Sequence, residues 1–427
     1  MTVFNNKWRR NSIGIILLLT VFISCSDSDN DALLPMQNST VNFNHFNYLY
    51  QDFSLNGVAV GVVNIYSEYP NYNYAIEPNE GFTCVDDVAR AIVLLTGRLE
   101  GLENPNPTLD KIKKLTEFVL QMQHENGYFN NFVWRNGSIN TTYKTSVANL
   151  NWWSLRALWS LETVLPVFES DTAMEIRIKN SIDKVVANIV GELPSNNSEK
   201  TVVNGVELPT WLPQQYASDQ ASLLMLGLLK NYRRNTSENV KLLIESLADG
   251  IMLTQKGGKG TYPNGAFMSW ANLWHAWGNN QSYALLLVGE YFNNQTYIDS
   301  ALKEVDNLYP LLLKNGFMEA FYIQKSGSVF IEKERKQFPQ IAYGLRPMVF
   351  ATYKAYDITG ESKYLDLATN LSAWLYGEND AYTSIYNPES GICFDGIVGT
   401  GEVNRNSGAE STIESLFILQ HIENRTN

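Results

Sequence analysis

The spacing of the helical segments limits what this chain can fold into. Apolar periodicity predicts eleven helices in the 427 residues, at 84–102, 109–123, 147–167, 171–191, 216–234, 237–254, 270–292, 295–313, 339–358, 362–376 and 408–423. The connections between them alternate between tight turns and gaps of roughly 14–31 residues. A plain helical bundle has short loops throughout. Strict alternation instead predicts an all-α ring of helical hairpins with every long loop on one rim.

The long loops also resemble one another. Each carries a glycine beside aromatic or apolar residues, as in Gly127-Tyr128-Phe129, Gly260-Thr261-Tyr262, Gly316-Phe317 and Gly391-Ile392-Cys393-Phe394. Glycine marks loops in any fold, so each match alone is weak. Their recurrence at the same phase favours an internal repeat of hairpin plus rim loop, with a period of roughly 60–70 residues.

The first residues have the pattern of an export signal. Basic residues precede the apolar run 13–23, which ends at Ser24-Cys25 and is too short to span a membrane comfortably. The run Phe22-Ile23-Ser24-Cys25 resembles a bacterial lipobox, and the acidic run 26–31 resembles the surface-export signal of Bacteroidetes-type lipoproteins. We therefore expect a lipoprotein signal peptide at 1–24 and acylation of Cys25, which would anchor the protein to the outer membrane or cell surface, with a periplasm-facing anchor as a variant. A cleaved soluble secretory signal is the alternative.

The remaining chain divides into a polar tether, 25–40, and a single domain, 41–427. The formal net charge is −12 and the chain has no basic patch, so nucleic acid is not an expected partner. Two cysteines, Cys84 and Cys393, follow Cys25 and would be neighbours in a closed ring, where either a disulfide or two buried thiols is compatible with the sequence. No zinc-type spacing is present, and we expect neither a metal nor a cofactor.

Carboxylates recur where inner helices of such a ring would begin. Asp86 and Asp87 lie in the first turn of the first helix, and Glu410 lies in the first turn of the last. Capping boxes, Thr83 with Asp86 and Ser407 with Glu410, are the structural alternative. In a closed ring these helices are neighbours, so the acids would converge. A carboxylate pair in one pocket is the requirement for glycoside hydrolysis.

The other predicted inner-helix starts carry residues that suit a carbohydrate site, because aromatic rings stack on sugars and polar side chains bind hydroxyl groups. The candidate substrate-binding residues are Trp152, Trp153, Trp211, Tyr216, Asp219, Trp270, Trp274, His275, Gln340, Tyr343 and Arg346. The spacing of Trp270, Trp274 and Trp277 is equally that of a core stripe on one helix.

One turn carries a family resemblance. The run Thr359-Gly360-Glu361 followed by Tyr364-Leu365 resembles the hairpin turn of six-hairpin glycosidase-like enzymes, and residues 291–298 are a degenerate copy. The resemblance covers roughly 42–425. It implies an (α/α)6 toroid, with the segment 44–53 completing the ring as the outer partner of the last helix. It also implies that the acid and base lie at the inner-helix starts near the two chain ends.

These observations predict an extracytoplasmic glycoside hydrolase that acts on a poly- or oligosaccharide. Glu410 is the expected general acid and Asp87 the expected base, with Asp86 assisting or exchanging roles with Asp87, and inversion is the preferred outcome. Two alternatives remain open. A polysaccharide lyase would use His275 or Tyr283 as base and Arg346 to neutralise a uronate. A glycan-binding lipoprotein would use the aromatic residues without catalysis.

Overall fold

The computed structural model describes residues 39–195 and 198–426, and residues from Thr40 onward form one compact unit. This part of the chain contains thirteen α-helices: α1 Asn44–Leu49, α2 Val85–Arg98, α3 Asn106–Gln121, α4 Trp152–Val164, α5 Thr172–Glu192, α6 Ser218–Asn235, α7 Glu238–Thr254, α8 Gln281–Phe292, α9 Gln295–Asn307, α10 Tyr309–Asn315, α11 Ala342–Thr359, α12 Lys363–Ser372 and α13 Ala409–Thr426.

Six of these helices form a closed inner ring. In the order α2, α4, α6, α8, α11 and α13, each packs against the next, and α13 packs against α2. Five outer helices, α3, α5, α7, α9 and α12, pack against the inner helix that precedes each of them, and the short α1 packs against α13. Inner helices such as α6 are buried on almost all sides, which explains their apolar sequences. The predicted (α/α)6 toroid is therefore confirmed.

The long connections carry thirteen short strands in the described residues: β1 Tyr50–Leu55, β2 Val58–Val63, β3 Tyr66–Glu68, β4 Asn73–Ala75, β5 Thr83–Cys84, β6 Phe132–Val133, β7 Lys200–Val203, β8 Val206–Pro209, β9 Leu273–His275, β10 Ala320–Ser326, β11 Val329–Lys336, β12 Gly396–Gly399 and β13 Glu402–Asn404. All paired strands are antiparallel.

These strands connect successive loops to one another. β5 pairs with β6, β9 pairs with β10, and Gln340 bridges to Ile397. The loops before the inner helices therefore form one continuous rim, which includes the aromatic residues of the repeated motif, Phe129, Tyr262, Phe317 and Phe394.

Two predicted helices differ most from the structure. The helix predicted at 270–292 begins only at Gln281, because Ala271 has a left-handed backbone (φ 51°) and 273–275 form β9. The helix predicted at 295–313 is two helices, α9 and α10, with Pro310 in the first turn of the second. Proline has no amide hydrogen to donate to the preceding turn, which accounts for the break.

The predicted signal peptide at 1–24, Cys25 and nearly all of the tether at 25–40 lie outside the described residues. Among the helices that are described, none is long and apolar enough to cross a membrane. Cys84 and Cys393 are both buried free thiols, so the structure favours the second of the two alternatives for this pair.

Candidate active site

A cavity of about 480 Å³ lies on the rim where four inner helices, α2, α4, α11 and α13, begin. Its walls come from the segments before α2, α4, α8 and α11 and from these helix starts: Glu80, Asp86, Arg90, Asn131, Phe132, Thr145, Trp152, Trp153, Arg156, Trp277, Glu319, Pro339, Ile341, Tyr343 and Glu410. A larger hollow of about 810 Å³ lies against α9, α10 and α12, on the outer layer of the ring. The smaller cavity is the candidate site, since it is the one that collects aromatic and acidic side chains at the inner-helix starts.

Arg90 joins the first and last inner helices beneath the cavity. Its Nη1 lies 2.7 Å from Asp87 Oδ1, and its Nη2 lies 2.7 Å from Glu410 Oε2. Its Nε lies 3.1 Å from Glu414 Oε1. Residues three or four apart share a helix face, which places Asp87 with Arg90 on α2 and Glu410 with Glu414 on α13. One buried guanidinium thus fixes the orientation of carboxylates from two hairpins.

Arg156 on α4 forms a second ionic contact at the cavity wall. Its Nη1 lies 2.5 Å from Asp86 Oδ1, and its Nη2 donates to the Tyr343 hydroxyl at 2.6 Å. The Tyr343 ring lies against three cations, with the Cζ atoms of Arg90, Arg156 and Arg346 at 4.7 Å, 5.2 Å and 5.6 Å from its centroid. Arg156 therefore holds one carboxylate oxygen of Asp86, and the other carboxylate oxygen is left for the cavity.

Two tryptophans form an aromatic wall. The rings of Trp152 and Trp277 lie 6.2 Å apart, and Trp277 stacks on the imidazole of His275 at 3.5 Å with an angle of 9° between the planes. His275 Nε2 contacts Asp219 Oδ2 at 2.9 Å, and its Nδ1 contacts the Trp277 carbonyl at 2.8 Å. Both imidazole nitrogens are occupied, so His275 supports Trp277 and does not reach the cavity.

Burial changes the protonation of the acids. It raises the pKa of Glu410, and the nearby carboxylates of Asp87 and Glu414 act in the same direction, whereas Arg90 opposes them. Burial also raises the pKa of Asp87, against the effect of Arg90, and it raises the pKa of Glu80. Although Glu410 is deep in the protein, 41% of its side chain is open to the cavity. Glu410 thus combines access to a ligand with a raised pKa.

The structure brings several predicted site residues together and separates others. Asp86, Glu410, Trp152, Trp153 and Tyr343 line the cavity. Asp87 does not: its side chain is only 4% exposed and is held behind the wall by Arg90 and by the Cys84 thiol, so it cannot act as base in this arrangement.

Other candidates have structural partners instead of a place in the cavity. Trp211 is buried and donates its Nε1 hydrogen to the Ser246 carbonyl, and Trp274 is buried against Phe321. Gln340 and Arg346 are also buried, Gln340 bonded to Asp380 and Arg346 ion-paired with Glu414. Asp219 and His275 lie behind Trp277, as described above.

The remaining two candidates, Tyr216 and Trp270, lie on the rim outside the cavity. The alternative of a helical core stripe at Trp270, Trp274 and Trp277 is wrong, because all three precede α8.

The capping-box alternatives are not formed either. Helix α2 is capped by the Cys84 sulfur, which accepts from the Asp87 amide, while the Thr83 hydroxyl accepts from the Val63 amide. At the start of α13, the Gly408 amide and the Ser411 hydroxyl both donate to Asp395 Oδ1 at 2.7 Å. Asp395 therefore supplies the cap of α13, and the Glu410 side chain is left to face the cavity.

Sequence reasoning missed Arg156 and Glu319. Glu319 lines the cavity two residues after Gly316-Phe317, so the repeated rim motif was a usable signal for it. Within residues 39–195 and 198–426, its carboxylate has no hydrogen-bond or ion-pair partner, which makes it the least constrained acid of the site. The same residues contain no group of three or more His, Cys, Asp or Glu arranged to hold a metal ion.

No protein-family model matches this chain, and no curated protein sequence matches it significantly. Solved structures do resemble it. A sugar epimerase from a ruminal bacterium superimposes with a TM-score of 0.62 at 11% identity, covering 91% of this chain and 97% of its own. Cellobiose 2-epimerase from Bacillus thermoamylovorans B4167 gives 0.59 at 13% identity, covering 88% and 95%.

A family 76 glycoside hydrolase from a bovine Bacteroides thetaiotaomicron strain gives a TM-score of 0.58 at 10% identity, covering 92% of this chain and 79% of its own. At these identities the likeness shows a common fold. This agrees with the (α/α)6 ring that the sequence predicts.

Proposed function

We propose that this protein is a glycoside hydrolase that cleaves a poly- or oligosaccharide in the cavity at the inner-helix starts. The observation that carries the proposal is Glu410, an accessible carboxyl with a raised pKa that shares the cavity with the carboxylate of Asp86. The aromatic wall of Trp152 and Trp277 suits sugar rings. The fold is shared with solved enzymes whose names include sugar epimerases and a glycoside hydrolase.

In the proposed reaction, Glu410 is the general acid. Arg90 holds its Oε2, which leaves Oε1 to donate a proton to the leaving glycosidic oxygen as the C–O bond breaks. Asp86, whose Oδ1 is held by Arg156, accepts a proton from the attacking water or attacks the anomeric carbon itself. Asp87 acts as a positioning residue, because it orients Arg90. Glu319 is the competing candidate for the base.

Isosteric variants test these roles. We expect Asp86→Asn and Glu410→Gln each to lower turnover by about 10²–10⁴, because each keeps the shape of the side chain and removes its charge or its acid proton. Glu319→Gln separates the two candidate bases. Glu290→Gln is the matched control, since Glu290 is an exposed acid paired with Lys354 on the outer side of α8. The measurement is release of reducing ends from a panel of neutral polysaccharides, with circular dichroism to confirm folding. Full activity in both Asp86→Asn and Glu410→Gln would contradict the proposal.

The lyase alternative has less support. Its cation, Arg346, is buried against Glu414, and Arg90 and Arg156 are already paired with carboxylates, so no free guanidinium is left in the cavity for a uronate. Its base, His275, has both nitrogens occupied. Product analysis separates the two reactions, because hydrolysis incorporates oxygen from labelled water whereas elimination yields an unsaturated sugar that absorbs ultraviolet light.

We also propose that the protein acts outside the cytoplasm as a lipoprotein acylated at Cys25. The support is the lipobox-like run 22–25 and the acidic run that follows it. Metabolic labelling with a fatty-acid analogue, followed by membrane fractionation, tests this. We expect Cys25→Ala to lose both the label and the membrane association, and a variant that remained labelled and membrane-bound would contradict the proposal.

A further inference from the structure

An aromatic pair, made of an exposed tryptophan and a partly buried tyrosine, lies on the rim outside the cavity. The rings of Tyr216 and Trp270 meet edge to face at 6.1 Å, and Trp270 is 47% exposed. Neither residue lines the cavity. A tryptophan with this much open surface is unusual in a core-forming role, so the pair needs another explanation.

The backbone that presents the pair is strained. Gln214 and Gln215, directly before Tyr216, have φ values of 49° and 70°, and Ala271, directly after Trp270, has φ 51°. Residues with a Cβ rarely adopt this left-handed conformation, and they keep it where the surrounding structure enforces it, often at ligand sites. Three such residues beside two aromatic rings indicate that the fold holds these rings in place.

Several contacts connect the pair to the cavity wall. The side-chain Nε2 of Gln214 donates a hydrogen bond to the Leu150 carbonyl at 2.9 Å. Leu150 lies two residues before Trp152. On the other side, Asp219 in the first turn of α6 holds His275, which stacks on Trp277. The segment before α8 thus carries both Trp270 of the pair and Trp277 of the cavity wall, and the segment with Tyr216 is bonded to the neighbouring wall.

We propose that Tyr216 and Trp270 form a distal subsite for a neutral sugar unit of a glycan chain whose cleaved end occupies the cavity. This inference rests on the proposed function and specifies a substrate of several sugar units. The apolar face of a pyranose can stack on Trp270, and the exposed side-chain amide of Gln215 can bind its hydroxyl groups. A neutral chain is favoured because four carboxylates line the cavity against two guanidinium groups.

Binding is tested without catalysis. Native gels containing yeast mannan, arabinan, galactomannan or xylan would be run with Glu410→Gln and with the double variant Glu410→Gln/Trp270→Ala. We expect Trp270→Ala to weaken binding of the polysaccharide about tenfold, measured as loss of retardation in the gel. This is the effect of losing one aromatic contact. Tyr291→Ala, which removes a 40% exposed aromatic residue from the last turn of α8, is the matched control and should retain binding.

Chain-length dependence gives a second measurement. For the polysaccharide that is cleaved, the ratio of kcat/KM on a long oligosaccharide to that on a short one should fall about tenfold in Trp270→Ala. Equal retardation of both Glu410→Gln proteins, or no retardation by any of the four polysaccharides, would overturn the subsite. If retardation depends on Trp270 but no polysaccharide is cleaved, the subsite is supported and the proposed hydrolase activity is refuted.

Discussion

At the scale of single residues, two aspartates that are adjacent in the sequence have different surroundings in the fold. Asp86 and Asp87 are adjacent, yet successive residues on a helix point about 100° apart. Asp86 faces the cavity and pairs with Arg156, whereas Asp87 points into the protein toward Arg90 and Cys84. The sequence places both acids at the right helix start, but it does not show which one faces the cavity, because that depends on the rotation of α2 in the ring.

The pH dependence of catalysis belongs to this scale. Because the pKa of Glu410 is raised, a larger fraction of the carboxyl is protonated than in solution at a given pH. As a general acid it is active in that form, so kcat/KM should fall as the pH rises through its pKa. The residual activity of Glu410→Gln should lack this alkaline fall. A pH profile of the variant that retained the same fall would assign the acid to another residue.

Glu304 predicts a pH dependence of stability. It is fully buried, and burial raises its pKa from 4.5 to about 7. Between these values the folded protein binds more protons than the unfolded chain, so the free energy of unfolding should fall as the pH rises, by about 3 kcal/mol in total. Urea unfolding of the wild type and of Glu304→Gln at pH 5 and pH 8 measures this. The variant should lose most of the difference, and an unchanged difference would exclude Glu304 as its source.

At the scale of elements, the periodicity of the sequence predicted most of the ring. Each of the eleven predicted ranges overlaps a helix, and the range 295–313 contains α9 and most of α10. The largest difference is at the start of α8, where three tryptophans have helical spacing but precede the helix, and Trp274 lies in a strand paired with β10. Apolar periodicity cannot distinguish a helix from a strand here, because the strand that pairs with this segment, β10, lies about fifty residues further along the sequence.

The cap of α2 gives a prediction at this scale. The Cys84 sulfur accepts from the Asp87 amide at 3.4 Å, and its thiol lies 3.2 Å from Asp87 Oδ2. Cys84→Ala should lower the free energy of unfolding by about 1 kcal/mol, the usual effect of losing a cap, whereas Cys84→Ser should retain most of the stability. Urea unfolding of the three proteins provides the comparison. Equal losses in both variants would mean that packing of the sulfur, and not capping, is what matters.

At the scale of the whole molecule, buried charge closes the ring. Glu414 on α13 is fully buried and pairs with Arg90 on α2 and Arg346 on α11. Arg346 also donates to Asn280 before α8, so one network spans four hairpins. This network joins residues that are more than three hundred positions apart in the sequence. The sequence alone therefore indicated the acids at the helix starts, but it did not identify the arginines that pair with them.

Removing the centre of this network should be costly. Glu414→Ala leaves two buried guanidinium groups with fewer partners, and breaking a buried ion pair typically costs about 3–5 kcal/mol. Asp357→Ala removes a partly exposed partner of Arg425 and should cost less than about 1 kcal/mol. Thermal and urea unfolding of both variants test this. Comparable losses would show that the ring does not depend on the buried network.

The packing of α1 on α13 has a consequence for how the protein is made. The Tyr386 hydroxyl donates to the Thr40 carbonyl, and the Asn42 side chain donates to the carbonyls of Pro388 and Glu389. Helix α1 packs on α13, which is synthesised only after five hairpins have been completed. Until then the part of α1 that α13 covers lacks its partner. The ring can therefore close only after α13 has been synthesised. Until then, chaperones can bind the surfaces that α1 and α13 later bury against each other.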